Sequence, residues 1–167
     1  MLRVLADHGV DYILIGGLAA TVHGSPYVTV DVDIVPRSSR QNLTKLSDAL
    51  RALDARVYVS RDETLRFEHD GRSLQDAIVW NLATRFGGLD ITFEPAGTTG
   101  YSDLAERAST MDLGGVEVVV AALEDIVRSK AAAGREKDTV VLPALRRLLE
   151  LETEEHRAQR KQRRRNH

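Results

Sequence analysis

The chain alternates short apolar runs with segments whose apolar residues recur at helical spacing. Leu2 to His8 predicts a short helix stopped by Gly9. Tyr12-Ile13-Leu14-Ile15 predicts a strand broken by Gly16-Gly17, after which Leu18 to His23 can start a helix. Gly24-Ser25-Pro26 predicts a turn. Val28 to Val35 predicts a second strand, with Val30, Val32 and Ile34 on one face and Thr29, Asp31 and Asp33 on the other. Leu43, Leu46, Leu50 and Leu53 carry a helical stripe, with Ser38 or Ser39 able to cap its start. Arg56 to Ser60 and Leu65 to His69 predict strands, with an Asp70-Gly71 turn behind them. Ala77 to Leu82 fits strand or helix, whereas Leu89-Asp90-Ile91-Thr92-Phe93 is a clear strand. A helix from Ser102 to Arg107, a β-branched strand Val116 to Val120, a helix Leu123 to Ala133 ended by Gly134, and a last helix from Thr139 to about Glu155 complete the pattern.

This mixture predicts an α+β fold: a short mixed sheet with helices packed on it and a C-terminal helical segment. The 167 residues suit one domain, expected over 1–155, followed by a basic, disordered tail over 156–167. The net charge of −2 hides that tail: residues 157–167 carry six Lys and Arg and no acid, leaving −8 on the rest. A basic segment on an acidic body fits a polyanionic partner, although most charge runs are solvated surface. The absence of cysteine excludes a disulfide scaffold and a thiolate metal site. No apolar run approaches the roughly 20 residues of a membrane span, and the first residues lack a secretory pattern, so a cytoplasmic protein is expected.

Candidate chemistry lies in two features. Asp31 and Asp33, two apart, project from one side of their strand, and paired carboxylates repel unless a cation sits between them. Mg²⁺ suits such a pair, because it binds through one or two carboxylates plus substrate phosphates. Asp90 is a candidate third carboxylate, since a lone charge in an apolar strand is expensive. Gly16-Gly17 can bring backbone amides close to a phosphate. Alone, a Gly-Gly is most often a tight turn and an Asp-x-Asp an exposed edge strand; in this order, joined by apolar strands, they are far more specific. His23 and His69 lack metal-ligand spacing, and Trp80 suits packing better than base stacking. The chain has neither a nucleophile elbow nor a P-loop.

Gly16-Gly17 followed by Thr29-x-Asp31-x-Asp33 resembles the signature of the DNA polymerase beta-like nucleotidyltransferase superfamily. More narrowly, Gly16-Gly17-Leu18-Ala19, His23-Gly24 and Lys130-x3-Gly134-Arg135-x-Lys137-Asp138 resemble the AbiEii/MenT group of bacterial toxin nucleotidyltransferases, over roughly residues 9–148. The resemblance implies that Gly16, Gly17 and Thr29 face the phosphates of a nucleoside triphosphate. It implies that Asp31, Asp33 and Asp90 serve a divalent metal, Mg²⁺ or Mn²⁺. It matches Lys130 to a helix-borne lysine that contacts the triphosphate, and Asp138 to a downstream catalytic aspartate. Two positions depart from the pattern: Tyr27 stands where many relatives have arginine, and Val141 where many have a second aspartate.

The function implied is transfer of a nucleoside monophosphate from an NTP to an acceptor with release of pyrophosphate. The implied acceptor is RNA, the 3′ end of tRNA, in a toxin whose partner is a cognate antitoxin. Two alternatives stay open: the same chemistry on a small molecule or protein hydroxyl, and a non-catalytic nucleotide-binding module.

Overall fold

A computed structural model describes the backbone of residues 1–61 and 63–165 and the side chains of 1–61 and 63–154. In chain order the elements are α1 (Leu2–Asp7), β1 (Tyr12–Ile15), α2 (Gly16–Val22), β2 (Val32–Pro36), α3 (Arg40–Ala52), β3 (Arg56–Ser60) and β4 (Glu63–Arg66). A 3₁₀ turn at Ser73–Asp76 leads to β5 (Val79–Thr84), β6 (Gly87–Thr92), α4 (Tyr101–Ala105), β7 (Ser109–Asp112), β8 (Glu117–Val120), α5 (Leu123–Ala133) and α6 (Glu136–Arg165). The fold is α+β, as the alternation predicts, but among the described residues the sheet is wide rather than short. It has eight strands in the order β4-β3-β5-β6-β2-β1-β8-β7. β1 pairs antiparallel with β2 and parallel with β8, and β2 pairs parallel with β6, so the centre is mixed.

One sheet face packs on α3. Ser39 caps that helix by accepting from the Asn42 N–H, and Leu43, Leu46, Leu50 and Leu53 are fully buried. They meet Leu14, Ile34, Leu89 and Ile91, each also fully buried, in the main core. Burying a side chain of this size contributes about 1.5–3 kcal/mol. The opposite face carries the sequence neighbours of those residues, including Ile15, Asp33 and Asp90, and α2 packs on β1 and β2 there.

Several expectations need correction. The second strand starts at Val32, not Val28, and the segment before it stands clear of the sheet: Val28 and Val30 are 88% and 83% exposed. Val32 and Ile34 do share a buried face, but Val30 does not join them. α2 begins at Gly16 itself. The Asp70-Gly71 turn closes no hairpin; the Asp70 carboxylate accepts from the Arg72 and Ser73 amides and starts the 3₁₀ turn. The ambiguous run at Ala77 is strand β5, starting at Val79, and β7 has no counterpart in the sequence pattern.

α6 starts at Glu136 rather than Thr139, and its backbone continues to Arg165. The side chains of 155–165 and residues 166 and 167, on which the expectation of a basic tail falls, lie outside the described residues. No described helix is long and apolar enough to cross a membrane.

Candidate active site

The site is built where β2 and β6 run side by side. Asp33 on β2 is the direct register partner of Asp90 on β6, so their side chains leave the sheet on the same face. Asp31 lies just before β2 and reaches over β6: any side chain at Gly88, two residues before Asp90, would overlap the Asp31 carboxylate. The two carboxylates expected to project from one strand thus converge from a strand and the loop that feeds it. Thr29 orders that loop by accepting from the Asp31 N–H at 3.3 Å.

The Gly-Gly pair serves these acids directly. Gly16 has φ +71°, a left-handed conformation that favours glycine, and a Cβ there would fall on the Asp33 carboxylate. A Cβ at Gly17 would lie 2.9 Å from Cβ of Thr29. The Gly17 backbone favours the ionised form of Asp33, so one amide expected to meet phosphate faces the acid. Both glycines make room for Asp33 and Thr29 before any ligand enters.

Cations approach from the opposite wall. α5 ends at Gly134, whose left-handed φ of 61° turns the chain into α6. Lys130 lies one turn before this joint; Arg135, Lys137 and Asp138 lie just after it. Asp138 is fully buried and holds the cluster together: Lys130 Nζ donates to one carboxylate oxygen at 2.9 Å and Arg135 Nε to the other at 2.6 Å. Burial pushes the Asp138 carboxyl up, but the hydrogen bonds from Arg135 and Lys130 outweigh it and hold it below the usual carboxylate range. Both oxygens of the Asp138 carboxylate are therefore engaged by cations of the same cluster.

The eight residues given a site role from the sequence all line one cavity of about 180 Å³: Gly16, Gly17, Thr29, Asp31, Asp33, Asp90, Lys130 and Asp138. Arg135 and Lys137 line it too. They belong to the quoted motif, but their charge near a helix start reads as solvated surface until the joint brings them to the acids. Tyr27 and Val141, the two departures, also line this cavity. A second cavity of about 280 Å³ adjoins it, sharing Gly16, Asp33, Asp90, Lys130 and Arg135. Asn81, Glu94, Thr98 and Ser129 add polar groups to it, and Val79, Leu104 and Ile126 an apolar floor. Asp125, buried in its wall, is neutralised by Arg107 and Arg128.

Burial and mutual repulsion raise the proton affinity of two of these acids. Burial, then the charge of Asp90, raises Asp33 from its ordinary 3.8 to about 6, despite Gly17, Lys130 and Lys137. Burial, then the charge of Asp31, also raises Asp90. Among the described residues no three His, Cys, Asp or Glu side chains form a ready-made metal cage. The donor set nonetheless fits Mg²⁺ or Mn²⁺ when substrate phosphates supply further oxygens.

The other singled-out side chains are structural. His23 hydrogen-bonds the Ala121 carbonyl at 2.9 Å, and His69 lies 2.9 Å from the Ser47 hydroxyl. Trp80 donates to the Leu74 carbonyl and packs on Phe67.

No family model matches the chain, and no curated protein matches its sequence. Solved structures do match its shape. A lincosamide antibiotic adenylyltransferase, LnuA, bound to lincomycin, superposes with a TM-score of 0.59 at 16% identity, covering 88% of this chain and 92% of LnuA. A Thermotoga maritima protein provisionally classed as a nucleotidyltransferase gives 0.53 at 15% identity, covering 89% and 90%. A nucleotidyltransferase-like antigenic protein of Paracoccidioides brasiliensis gives 0.52 at 19% identity, covering 90% of this chain and 72% of the other. The polypeptide that brings Asp31, Asp33 and Asp90 together therefore has the nucleotidyltransferase fold.

Proposed function

We propose that this protein is a metal-dependent nucleotidyltransferase that moves a nucleoside monophosphate from an NTP to an acceptor hydroxyl and releases pyrophosphate. The observation that carries this reading is the convergence of Gly16, Gly17, Thr29, Asp31, Asp33, Asp90 and Lys130 on one cavity, with Asp33 and Asp90 in direct register. Asp31 and Asp33 would hold Mg²⁺ or Mn²⁺, with Asp90 beside them; the ion supplies charge neutralisation at the transferred phosphate. Lys130, Arg135 and Lys137 offset triphosphate charge, and Asp138 keeps Lys130 and Arg135 aimed. Asp90 is the base for the attacking hydroxyl, because burial and Asp31 raise its proton affinity.

The acceptor in this proposal is the 3′ end of tRNA, and the biological role a toxin held by a cognate antitoxin, following the motif resemblance. A second reading is favoured by the adjoining cavity of about 280 Å³, which with its polar lip and apolar floor suits a compact hydroxylated small molecule. LnuA, similar in fold, was solved with lincomycin. Incubation with Mg²⁺, each labelled NTP and either total tRNA or lincosamide and aminoglycoside pools, beside an Asp31→Ala/Asp33→Ala control, separates the two. Label on tRNA with the unaltered protein alone supports the first reading. Label on a small molecule replaces the acceptor and keeps the chemistry. No transfer to any acceptor refutes the proposal.

A further inference from the structure

The sheet face that bears Asp33 and Asp90 does not end at the two cavities. Residues paired across neighbouring strands share a face, so it can be followed outward. Asp90 on β6 faces Asn81 on β5; two residues on, Ala83 faces Arg56 on β3; and Arg56 faces Arg66 on the edge strand β4. Tyr58, two residues after Arg56, joins them and is 49% exposed. With about 4.8 Å between strands and about 3.3 Å per residue, the Arg56 backbone lies roughly 12 Å from that of Asp90, and Arg66 one strand further.

Arg56 and Arg66 are an anomaly for a folded sheet. Like charges directly opposite on antiparallel strands repel. Among the described residues neither has an acidic partner within 4.0 Å. At the end of their strands they border a hollow of about 290 Å³ shared with Arg51 and Asp54 of the α3 side, where the Arg51 guanidinium is already taken up by Asp48 and the His69 carbonyl. An edge strand also leaves backbone amides and carbonyls unpaired. Two adjacent arginines, an exposed aromatic ring and an open face leading to the carboxylates are what a single-stranded polyanion with bases requires.

We infer that this face binds the single-stranded end of a nucleic-acid acceptor, with Arg56 and Arg66 on its phosphates and Tyr58 stacked on a base, feeding the terminal hydroxyl toward Asp90. The inference rests on the RNA-acceptor reading above and assigns it a surface. The choice of nucleic acid over an acidic protein follows from Tyr58 and from the continuity of the face with the site.

Binding is read by anisotropy of 5′-labelled tRNA across a salt series, with poly-glutamate as the competing polyanion. The Arg56→Gln/Arg66→Gln protein should bind tRNA about 10-fold or more weakly, and the slope of log affinity against log salt should flatten by about 1.4, at roughly 0.7 per single-strand phosphate contact. Tyr58→Ala should weaken binding without changing that slope. An Arg40→Gln/Arg72→Gln protein removes the same charge from exposed sites elsewhere and should bind as the unaltered protein does. Equal losses in both double variants, or none in either, overturn the inference; so does capture of poly-glutamate in preference to tRNA. NTP transfer to tRNA, measured separately, keeps the two readings apart: transfer with normal kinetics in the Arg56/Arg66 variant refutes the surface alone. Salt-dependent binding on Arg56 and Arg66 without transfer refutes the activity alone.

Discussion

Replacing Asp33 by asparagine should stabilise the metal-free protein while destroying its activity. Asp33 is raised from 3.8 to about 6, so the folded state holds that proton more tightly than the unfolded chain does. Ionising it therefore costs the fold stability: nothing below pH 4, progressively more through pH 6, and the full amount above. At about 1.4 kcal/mol per pH unit, the difference comes to about 3 kcal/mol at neutral pH. The asparagine side chain keeps the shape but carries no charge. In a domain of this size about 3 kcal/mol corresponds to roughly 6–12 °C in Tm. The assay is a thermal melt with a chelator at pH 7.5, 5 and 4, repeated with Mg²⁺ and NTP. The Asp33→Asn protein should melt higher at pH 7.5, with the gap about halved at pH 5 and closed near pH 4. Mg²⁺ with NTP should then raise the Tm of the unaltered protein alone, because only its site binds them. An Asp33→Asn protein that melts lower at pH 7.5 in chelator would refute the reasoning, since burial and Asp90 would then not be working against the charge.

Further outcomes follow from the same geometry. Gly16→Ala should cost about 1–3 kcal/mol for its left-handed backbone and abolish turnover by displacing the Asp33 carboxylate, read by denaturant melts and transfer assays. Asp138→Asn should lose about 1–3 kcal/mol from its charge-assisted hydrogen bonds and raise KM for NTP through a misplaced Lys130; an unchanged KM refutes the positioning role. Lys130→Ala should lower NTP transfer by an order of magnitude or more while leaving Mn²⁺ binding measurable by electron paramagnetic resonance. Leu89→Ala, in the fully buried core beneath the site, should cost about 3–5 kcal/mol by chemical denaturation.

The parts of the fold that were legible in the sequence are those where one face alone is buried. The α3 stripe of Leu43, Leu46, Leu50 and Leu53 and the strand around Asp90 both show their period plainly. Val28 to Asp31 misled because β-branched residues alternating with polar ones look the same in a strand and in an exposed loop; only packing separates them. β7 escaped because Ser109 to Asp112 has little apolar surface and owes its state to pairing with β8. Of the site, the acids and glycines were visible as a motif. The purpose of the glycines was not, because it is a close approach between residues distant in sequence: Gly16 to Asp33, Gly17 to Thr29 and Gly88 to Asp31. Asp138 was visible only through its motif; its full burial and its pairing with Lys130 and Arg135 are contacts across a helix joint that the sequence does not display.

The buried carboxylate of Asp138 gives Lys130 a resting partner. On the proposed function, a triphosphate entering the cavity would meet an ammonium group that already has company, so it would have to share or win that proton donor rather than rescue a stranded charge. The resulting contact is an exchange, with little net gain for a ligand that offers one phosphate and more for one that offers three. On the proposed function, a site wired in this way would discriminate by ligand charge density, and would let go of pyrophosphate more readily than a bare lysine would.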